Sequence, residues 1–252
     1  MNTEQPFEIL KPRGSADILI CVEHAGKEMP PDFDNLGLPQ SEIDRHIGWD
    51  IGVGEVARAM HQQLGQPLIL GRYSRLVVDL NRPVHSAECI SARSDGTDVP
   101  GNRDLTPAEK LQRMNRYYRP FHLAVSRLIT SLRPKVLLSV HSFTPKLRQL
   151  GVHRPWHCGV LYDENVPLGM SCLRHLADIP GLVVGDNEPY RVDHTADVPL
   201  PLHGELKGVP SVLVEIRNDV ITGAAGQRRW AEILSRLVDS CLLNPVGGRS
   251  RA

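Results

Sequence analysis

The sequence of 252 residues carries no net charge, because 29 lysines and arginines balance 29 aspartates and glutamates. Proteins that bind nucleic acids normally have a basic excess that displaces counterions from phosphates, and this chain has none. Disordered chains combine high net charge with low hydrophobicity, whereas 41% of these residues are hydrophobic. We therefore expect a globular protein without a nucleic-acid partner.

The five cysteines are odd in number and include no Cys-x-x-Cys pair. This pattern argues against a disulfide framework or a cysteine-rich zinc module, and favours reduced thiols. The first residues lack the basic start and apolar core of a signal peptide. No apolar run approaches the roughly 18–20 residues that span a membrane. We expect a cytoplasmic protein without a membrane partner.

Several short catalytic motifs are absent, namely Gly-x-Ser-x-Gly, His-Glu-x-x-His and the phosphate-binding Gly-x₄-Gly-Lys-Ser/Thr. The segment Gly52–Ala57 does match Gly-x-Gly-x-x-Ala. It follows Trp49 and Asp50 inside a helical pattern, however, whereas a dinucleotide site requires a strand, a turn and a helix. The sequence thus does not predict a nicotinamide enzyme.

Short apolar runs alternate with helical patterns along the chain. The runs that predict strands are Ala16–Glu23, Pro67–Gly71, Arg75–Asn81, Lys135–Ser139, Cys158–Tyr162, Gly181–Val184 and Ser211–Ile216. Helical patterns occupy the second half of 41–64, Pro167–Asp178 and the stripe from Trp230 to Cys241. Another covers 106–132, with a kink expected at Pro120. We predict one α/β domain over residues 1–252, a three-layer αβα sandwich with a mixed, mostly parallel sheet, in which 244–252 form a frayed tail.

Polar side chains stand at the ends of four predicted strands. His24 follows the first, Asn81 and Arg82 end the third, His141 follows the fourth, and Glu215 lies near the end of the last. Ligands of open α/β sheets bind outside the carboxyl ends of the strands. We therefore expect two imidazoles, a carboxylate and a guanidinium to meet at one edge of the sheet.

These residue types are suited to amide hydrolysis. Two neutral histidines with a carboxylate form a mononuclear zinc set that leaves one position for water. A further glutamate can carry a proton from that water to the leaving nitrogen, and an arginine with an asparagine can hold a substrate carboxylate. The alternatives are structural: His24 and His141 as satisfied core histidines, Glu215 as a buried partner of Arg217, and Arg82 in a surface ion pair.

At these positions the chain resembles the N-formylglutamate amidohydrolase family. The matching blocks follow the family order over nearly the whole chain, and are Cys21–Gly26, His46–Gly52, Tyr73–Pro83, Ser139–Pro145, Gly185–Tyr190 and Val214–Asp219. The resemblance extends to zinc carboxypeptidases and aspartoacylases, and implies their zinc-exopeptidase-like fold. It also implies a zinc-dependent hydrolase of amino-acid metabolism that acts on N-formylglutamate or another N-acyl amino acid.

The resemblance assigns roles to five residues. It implies that His24 and His141 bind the metal ion, zinc or another divalent metal. Asn81 and Arg82 would grip the substrate carboxylate, with Arg82 also counted as catalytic, and Glu215 would be the general base and acid.

One ligand departs from the carboxypeptidase pattern, which takes its acid from His-x-x-Glu. Here Lys27 stands at the acid position. We choose Asp50 as the acidic ligand, and Glu23 and Asp44 remain rivals.

Other family blocks imply a substrate wall and a contact to the developing oxyanion. The wall would consist of Arg72, Tyr73, Asn102, Asn187, Tyr190, Arg217 and Asn218. His203, in a polar loop before the last strand, would touch the oxyanion.

Two other functions stay open at this point. A zinc metallo-carboxypeptidase acting on peptides would use the same residues, and a non-catalytic binding protein would keep the fold without the metal. The sequence leaves open the acyl group, the amino acid, the metal and the oligomeric state.

Overall fold

The computed structural model describes residues 5–149, 151–193, 195 and 197–243, with the side chains of 242 and 243 excepted. The tail predicted over 244–252 lies outside the described residues. The described residues form nine strands: β1 Phe7–Leu10, β2 Ile18–Val22, β3 Leu68–Gly71, β4 Arg93–Ser94, β5 Thr97–Asp98, β6 Val136–Phe143, β7 Cys158–Leu161, β8 Val184–Asp186 and β9 Ser211–Arg217. Within the same ranges lie six α-helices: α1 Gln40–Ile43, α2 Val53–Leu64, α3 Pro107–Arg113, α4 Arg119–Leu132, α5 Val166–Ala177 and α6 Ala224–Leu237.

Seven strands form one sheet in the order β1-β3-β2-β6-β9-β7-β8, and β4 pairs with β5 separately. The strands β3, β2, β6 and β9 run parallel, whereas β1 and β7 are antiparallel to their neighbours β3 and β9. The central strands are continuous apolar runs because helices cover both of their faces. The prediction of a mixed, mostly parallel sheet is confirmed.

Two apolar clusters separate the layers. In β2, Ile18, Ile20 and Val22 pack with α2, α5 and α6 on one face of the sheet, and Leu19 and Cys21 pack with α4 on the other. This division follows from the alternation of side chains along a strand. The three-layer αβα sandwich is thereby confirmed.

The predicted strand Arg75–Asn81 is wrong. These residues form turns, with the Val77 amide bonded to the Ser74 carbonyl and the Arg82 amide to the Asp79 carbonyl. Val77, Val78 and Leu80 are buried in the cluster that includes α4, and Leu76 is buried in a separate cluster with Ile43 and Ile47, which explains the apolar pattern without any strand partner. A short apolar run shows that a segment is buried, but it does not show what the segment pairs with.

Three other features differ from the prediction: a strand boundary, an additional strand and the interior of a helix. The strand placed at Gly181–Val184 begins only at Val184, and β1 at the start of the chain is not predicted at all. The helix of 106–132 begins as predicted, with a capping box between Thr106 and Glu109. It then widens into a π-helical turn, Met114–Tyr118, directly before Pro120, whose ring cannot donate the usual backbone hydrogen bond.

No helix in the described part of the chain is both long enough and apolar enough to cross a bilayer.

Candidate active site

Three parallel strands place the predicted residues at one edge of the sheet. His24 lies two residues beyond the end of β2, and His141 and Glu215 lie near the carboxyl ends of β6 and β9. The register of the sheet sets His141 directly beside Glu215. All three side chains are buried and line one cavity, so the expected convergence of these residues is observed.

His24 is oriented through one of its two ring nitrogens. Its Nε2 lies 2.7 Å from Oδ1 of Asp79, within hydrogen-bonding distance. Its Nδ1 has no hydrogen-bond partner among the described residues, although Oδ1 of Asp50 lies 3.5 Å away. A buried nitrogen without a partner is costly, so Nδ1 is positioned for a further ligand.

His141 contacts a carboxylate on each side of its ring. Its Nδ1 lies 2.8 Å from Oδ2 of Asp50, and its Nε2 lies 2.9 Å from Oε2 of Glu23. Glu23 is itself fixed, since it accepts hydrogen bonds from Ser139 Oγ and Cys21 Sγ. Burial alone would raise the pKa of Glu23, but the hydrogen bond and charge of His141 lower it to about 2.

The donor set of His24, Asp50 and His141 fits a divalent cation. One ligand atom from each lies within 4.8 Å of the others, and all three residues are buried. Ligating histidines almost always have their second nitrogen bonded to a carboxylate or a carbonyl, and Asp79 and Glu23 do this here. Asp50 is therefore the acid that joins the two histidines, whereas its rival Glu23 stands behind His141.

The buried charges around this donor set also favour a cation. With neutral histidines, the carboxylates of Glu23, Asp50 and Asp79 bring three negative charges and Arg75 brings one positive charge, which leaves two negative charges in excess. A divalent ion would balance them. The same carboxylates raise the pKa of His141 well above its usual value, although burial alone would lower it. The site thus favours positive charge at His141 as well.

The side chains of Arg75 and Asp79 were not predicted as site residues. Arg75 Nε and Nη2 donate to Oδ2 of Asp79 at 2.9 and 2.6 Å, and Nη1 donates to Oδ1 of Asp50 at 3.3 Å. The guanidinium thus holds both the metal-ligand candidate and the carboxylate behind His24. The one sequence signal was the spacing of four between an arginine and an aspartate in an otherwise apolar run, as in an ion pair of a helix.

Glu215 differs electrostatically from the other buried acids of the site. Its Oε2 has no hydrogen-bond partner among the described residues. Burial and the charge of Asp50 raise its pKa to about 7, against the opposing charge of His141. A carboxyl group that titrates near neutrality can both accept and return a proton.

A cavity of about 310 Å³ opens onto these residues. Its lining includes the predicted residues Asn81, Arg82, Tyr190 and Glu215. The guanidinium of Arg82 contacts Asp197 at 2.8 Å and Glu88 at 3.1 Å. Asn81 is buried, and its Oδ1 has no partner among the described residues.

Several predicted residues lie away from this lining. Arg72 contacts Glu28, and Arg217 contacts Asp219 and two backbone carbonyls. Asn187 adopts a positive φ of 51° and accepts a hydrogen bond from the amide of Tyr162, as a turn residue does. Their substrate roles stay predictions.

His203 lies against another histidine. Its Nε2 is 2.8 Å from Nδ1 of His122, and the two buried rings stack at 5.1 Å.

Asp44, the other rival for the acidic ligand, forms an exposed ion pair with Lys27. Asn102 bonds to two backbone carbonyls and to Arg113, which is a structural role.

The comparison of the chain with protein families decides its membership. The sequence model of N-formylglutamate amidohydrolases matches residues 16–222, which is most of the chain. The chain belongs to the N-formylglutamate amidohydrolase family. Amidohydrolases are hydrolases, and the resemblance read from the sequence is confirmed. The matched range contains every candidate ligand and the candidate base.

Solved structures share the fold of this family member. The gene product Atu2144 of Agrobacterium tumefaciens is 33% identical, with a TM-score of 0.90 over 95% of this chain and 96% of that one. The N-formylglutamate amidohydrolase of Ralstonia eutropha JMP134 is 20% identical, with a TM-score of 0.68 over 93% and 96% of the two chains. A search of curated proteins finds no match.

Proposed function

We propose that this family member is a metal-dependent amidohydrolase that hydrolyses the N-formyl or another N-acyl amide of an amino acid, such as N-formylglutamate. The products are a carboxylic acid and the free amino acid. One observation carries the proposal: the His24, Asp50 and His141 donor set, Glu215 and Arg82 all face one cavity. A metal, a proton carrier and a cation for a carboxylate are what such a reaction requires.

His24, Asp50 and His141 would hold the metal ion, zinc or another divalent cation. The unpartnered Nδ1 of His24 and the two excess negative charges support this assignment. When bound, the ion would lower the pKa of a coordinated water and polarise the acyl carbonyl.

Glu215 is the residue that moves the proton. Its carboxylate accepts a proton from the attacking water and delivers it to the nitrogen of the breaking C–N bond. Its pKa of about 7 suits both steps, because a group that titrates near the working pH is an efficient acid and base. Burial, which causes this pKa, also keeps bulk water from competing for the proton.

Arg82 and Asn81 orient the substrate. The Arg82 guanidinium binds the α-carboxylate, as its present contact with the Asp197 carboxylate supports. The unpartnered Oδ1 of Asn81 is an acceptor that would suit the N–H of the substrate amide. Together the two contacts would hold the scissile carbonyl beside Glu215.

Metal analysis combined with a substrate panel tests this function. We expect about one divalent ion per chain and hydrolysis of N-formyl, N-acetyl or N-carbamoyl amino acids in preference to peptides. A preference for peptides would instead identify a metallo-carboxypeptidase. Protein that binds no metal and hydrolyses nothing would indicate a binding protein. Glu215→Gln, purified in parallel, controls for a contaminating hydrolase.

A further inference from the structure

The residue proposed to bind the substrate carboxylate already holds a carboxylate of the protein. Nη1 of Arg82 donates to Oδ1 of Asp197 at 2.8 Å, and both residues line the cavity that contains Glu215. Asp197 comes from a distant part of the chain, 115 residues beyond Arg82. It therefore stands where a substrate carboxylate would meet the same guanidinium.

Asp197 is held much less firmly than the structural acid of the site. Asp79 accepts hydrogen bonds from Arg75 and from two buried residues, His24 and the amide of Asn81. Among the described residues, the second oxygen of Asp197 accepts a hydrogen bond only from the backbone N–H of Asp193, four residues away on the surface. Apart from Arg82, Asp197 is thus anchored by its own loop.

The electrostatics of Asp197 agree with this weaker anchoring. For Asp197, burial raises the pKa despite the neighbouring Arg82. The ion pair with Arg82 does not fully offset the desolvation of the Asp197 carboxylate. Exchange of Asp197 for another carboxylate on Arg82 therefore has a small free-energy cost.

We propose that Asp197 is a specificity-determining residue, which occupies Arg82 until a substrate carboxylate displaces it. This inference rests on the proposed function of Arg82 as the carboxylate site. A ligand that offers only a carboxylate gains little from the exchange, since it trades one ion pair for another. An N-acyl amino acid also contacts Asn81 and the residues near Glu215, and these added contacts favour its entry.

The same competition acts on the products. The free amino acid released by the reaction keeps the α-carboxylate that Arg82 binds. The return of Asp197 to Arg82 expels it. Asp197 thus rejects small carboxylates by competition, which is selection against wrong ligands as well as for the right one.

The experiment measures acetate binding to the metal-loaded protein by calorimetry. Asp197→Asn removes the competing charge but keeps the shape, so we expect acetate to bind about three- to tenfold more tightly than to the unaltered protein, the range of a modest ion pair. Glu88 provides the matched control because it also contacts Arg82 but is 68% exposed. Glu88→Gln should change the affinity less than about twofold.

A second background separates Arg82 from acetate bound elsewhere, including on the metal. In Arg82→Ala protein, we expect Asp197→Asn to leave acetate affinity unchanged. Suppose that acetate binds Asp197→Asn no more tightly than the unaltered protein, while Arg82→Ala still weakens acetate binding. This result overturns the role of Asp197 and leaves that of Arg82 standing. Acetate binding that Arg82→Ala does not weaken in either background removes Arg82 as a carboxylate site, and the proposed substrate clamp fails with it.

Discussion

Oδ1 of Asp79 lies 2.7 Å from Nε2 of His24, on the far side of the imidazole from Asp50. Because this oxygen also accepts the amide N–H of Asn81, the carboxylate is fixed in position. A carboxylate at Nε2 favours the tautomer whose proton is on that nitrogen, which leaves Nδ1 as the basic atom. Asp79 thereby turns an ordinary buried histidine into a metal-ligand candidate.

Asp79→Asn should weaken metal binding without unfolding the protein. An amide still fits the space but loses the charge that orients His24, so we expect about 10–100-fold lower affinity for zinc. Competition with a chromophoric chelator measures this directly. Asp44→Asn is the control, since Asp44 pairs with Lys27 on the surface and should leave the affinity unchanged. An unaltered affinity in Asp79→Asn would contradict the proposed role of this acid.

Glu215→Gln should separate metal binding from turnover. Glutamine is nearly isosteric but cannot accept a proton, and Glu215 is not part of the donor set. We expect unchanged zinc content and a fall of about 10²–10⁴ in kcat. Metal analysis and kinetics on the same preparation provide the two measurements. Full activity in this variant would show that another group carries the proton.

The strands that carry the site were predictable because each is a continuous apolar run that can be recognised without knowing its neighbours in the fold. Runs such as those of β2 and β9 are apolar on both faces, and this indicates burial between two helical layers. A polar residue at the end of such a run stands out, which is why His24, His141 and Glu215 were found. Their convergence then follows from parallel strands ending at one edge of the sheet.

The partners of these residues were not predictable in the same way. The apolar run Arg75–Asn81 suggested a strand, whereas its two charged side chains turn inward to Asp50 and His24. The Arg82–Asp197 contact joins residues 115 positions apart. No periodicity marks such a contact, because it depends on how loops are placed in three dimensions.

Arg82→Ala should discriminate between substrates by charge. The guanidinium can bind a carboxylate through a charge-assisted pair but gains little from a neutral carboxamide. We expect kcat/KM for N-acyl amino acids to fall by about 10²-fold, and far less for the corresponding amino-acid amides. Parallel kinetics on both substrate types test the prediction. Equal losses would mean that Arg82 acts on the shared acyl group or on folding rather than on the carboxylate.

The buried pair His122 and His203 should make stability depend on pH below about 6.5, the ordinary histidine pKa. Burial, with the neighbouring ring, lowers the pKa of His122 to about 3, and burial lowers that of His203 to about 4. The unfolded chain therefore binds more protons as the pH falls. The contribution of the pair is complete above 6.5 and is lost towards 4 and 3, by up to about 1.4 kcal/mol per pH unit for each histidine.

Urea denaturation at fixed metal content, from pH 7.5 down to pH 4.5, measures this slope. The double variant His122→Gln/His203→Gln should be less stable at pH 7.5, since it loses the stacked pair, yet its free energy of unfolding should fall less steeply with decreasing pH. The exposed His85 supplies the control, and His85→Gln should keep the original slope. A double variant with the original slope would place the pH dependence in other groups, such as the histidines of the metal site.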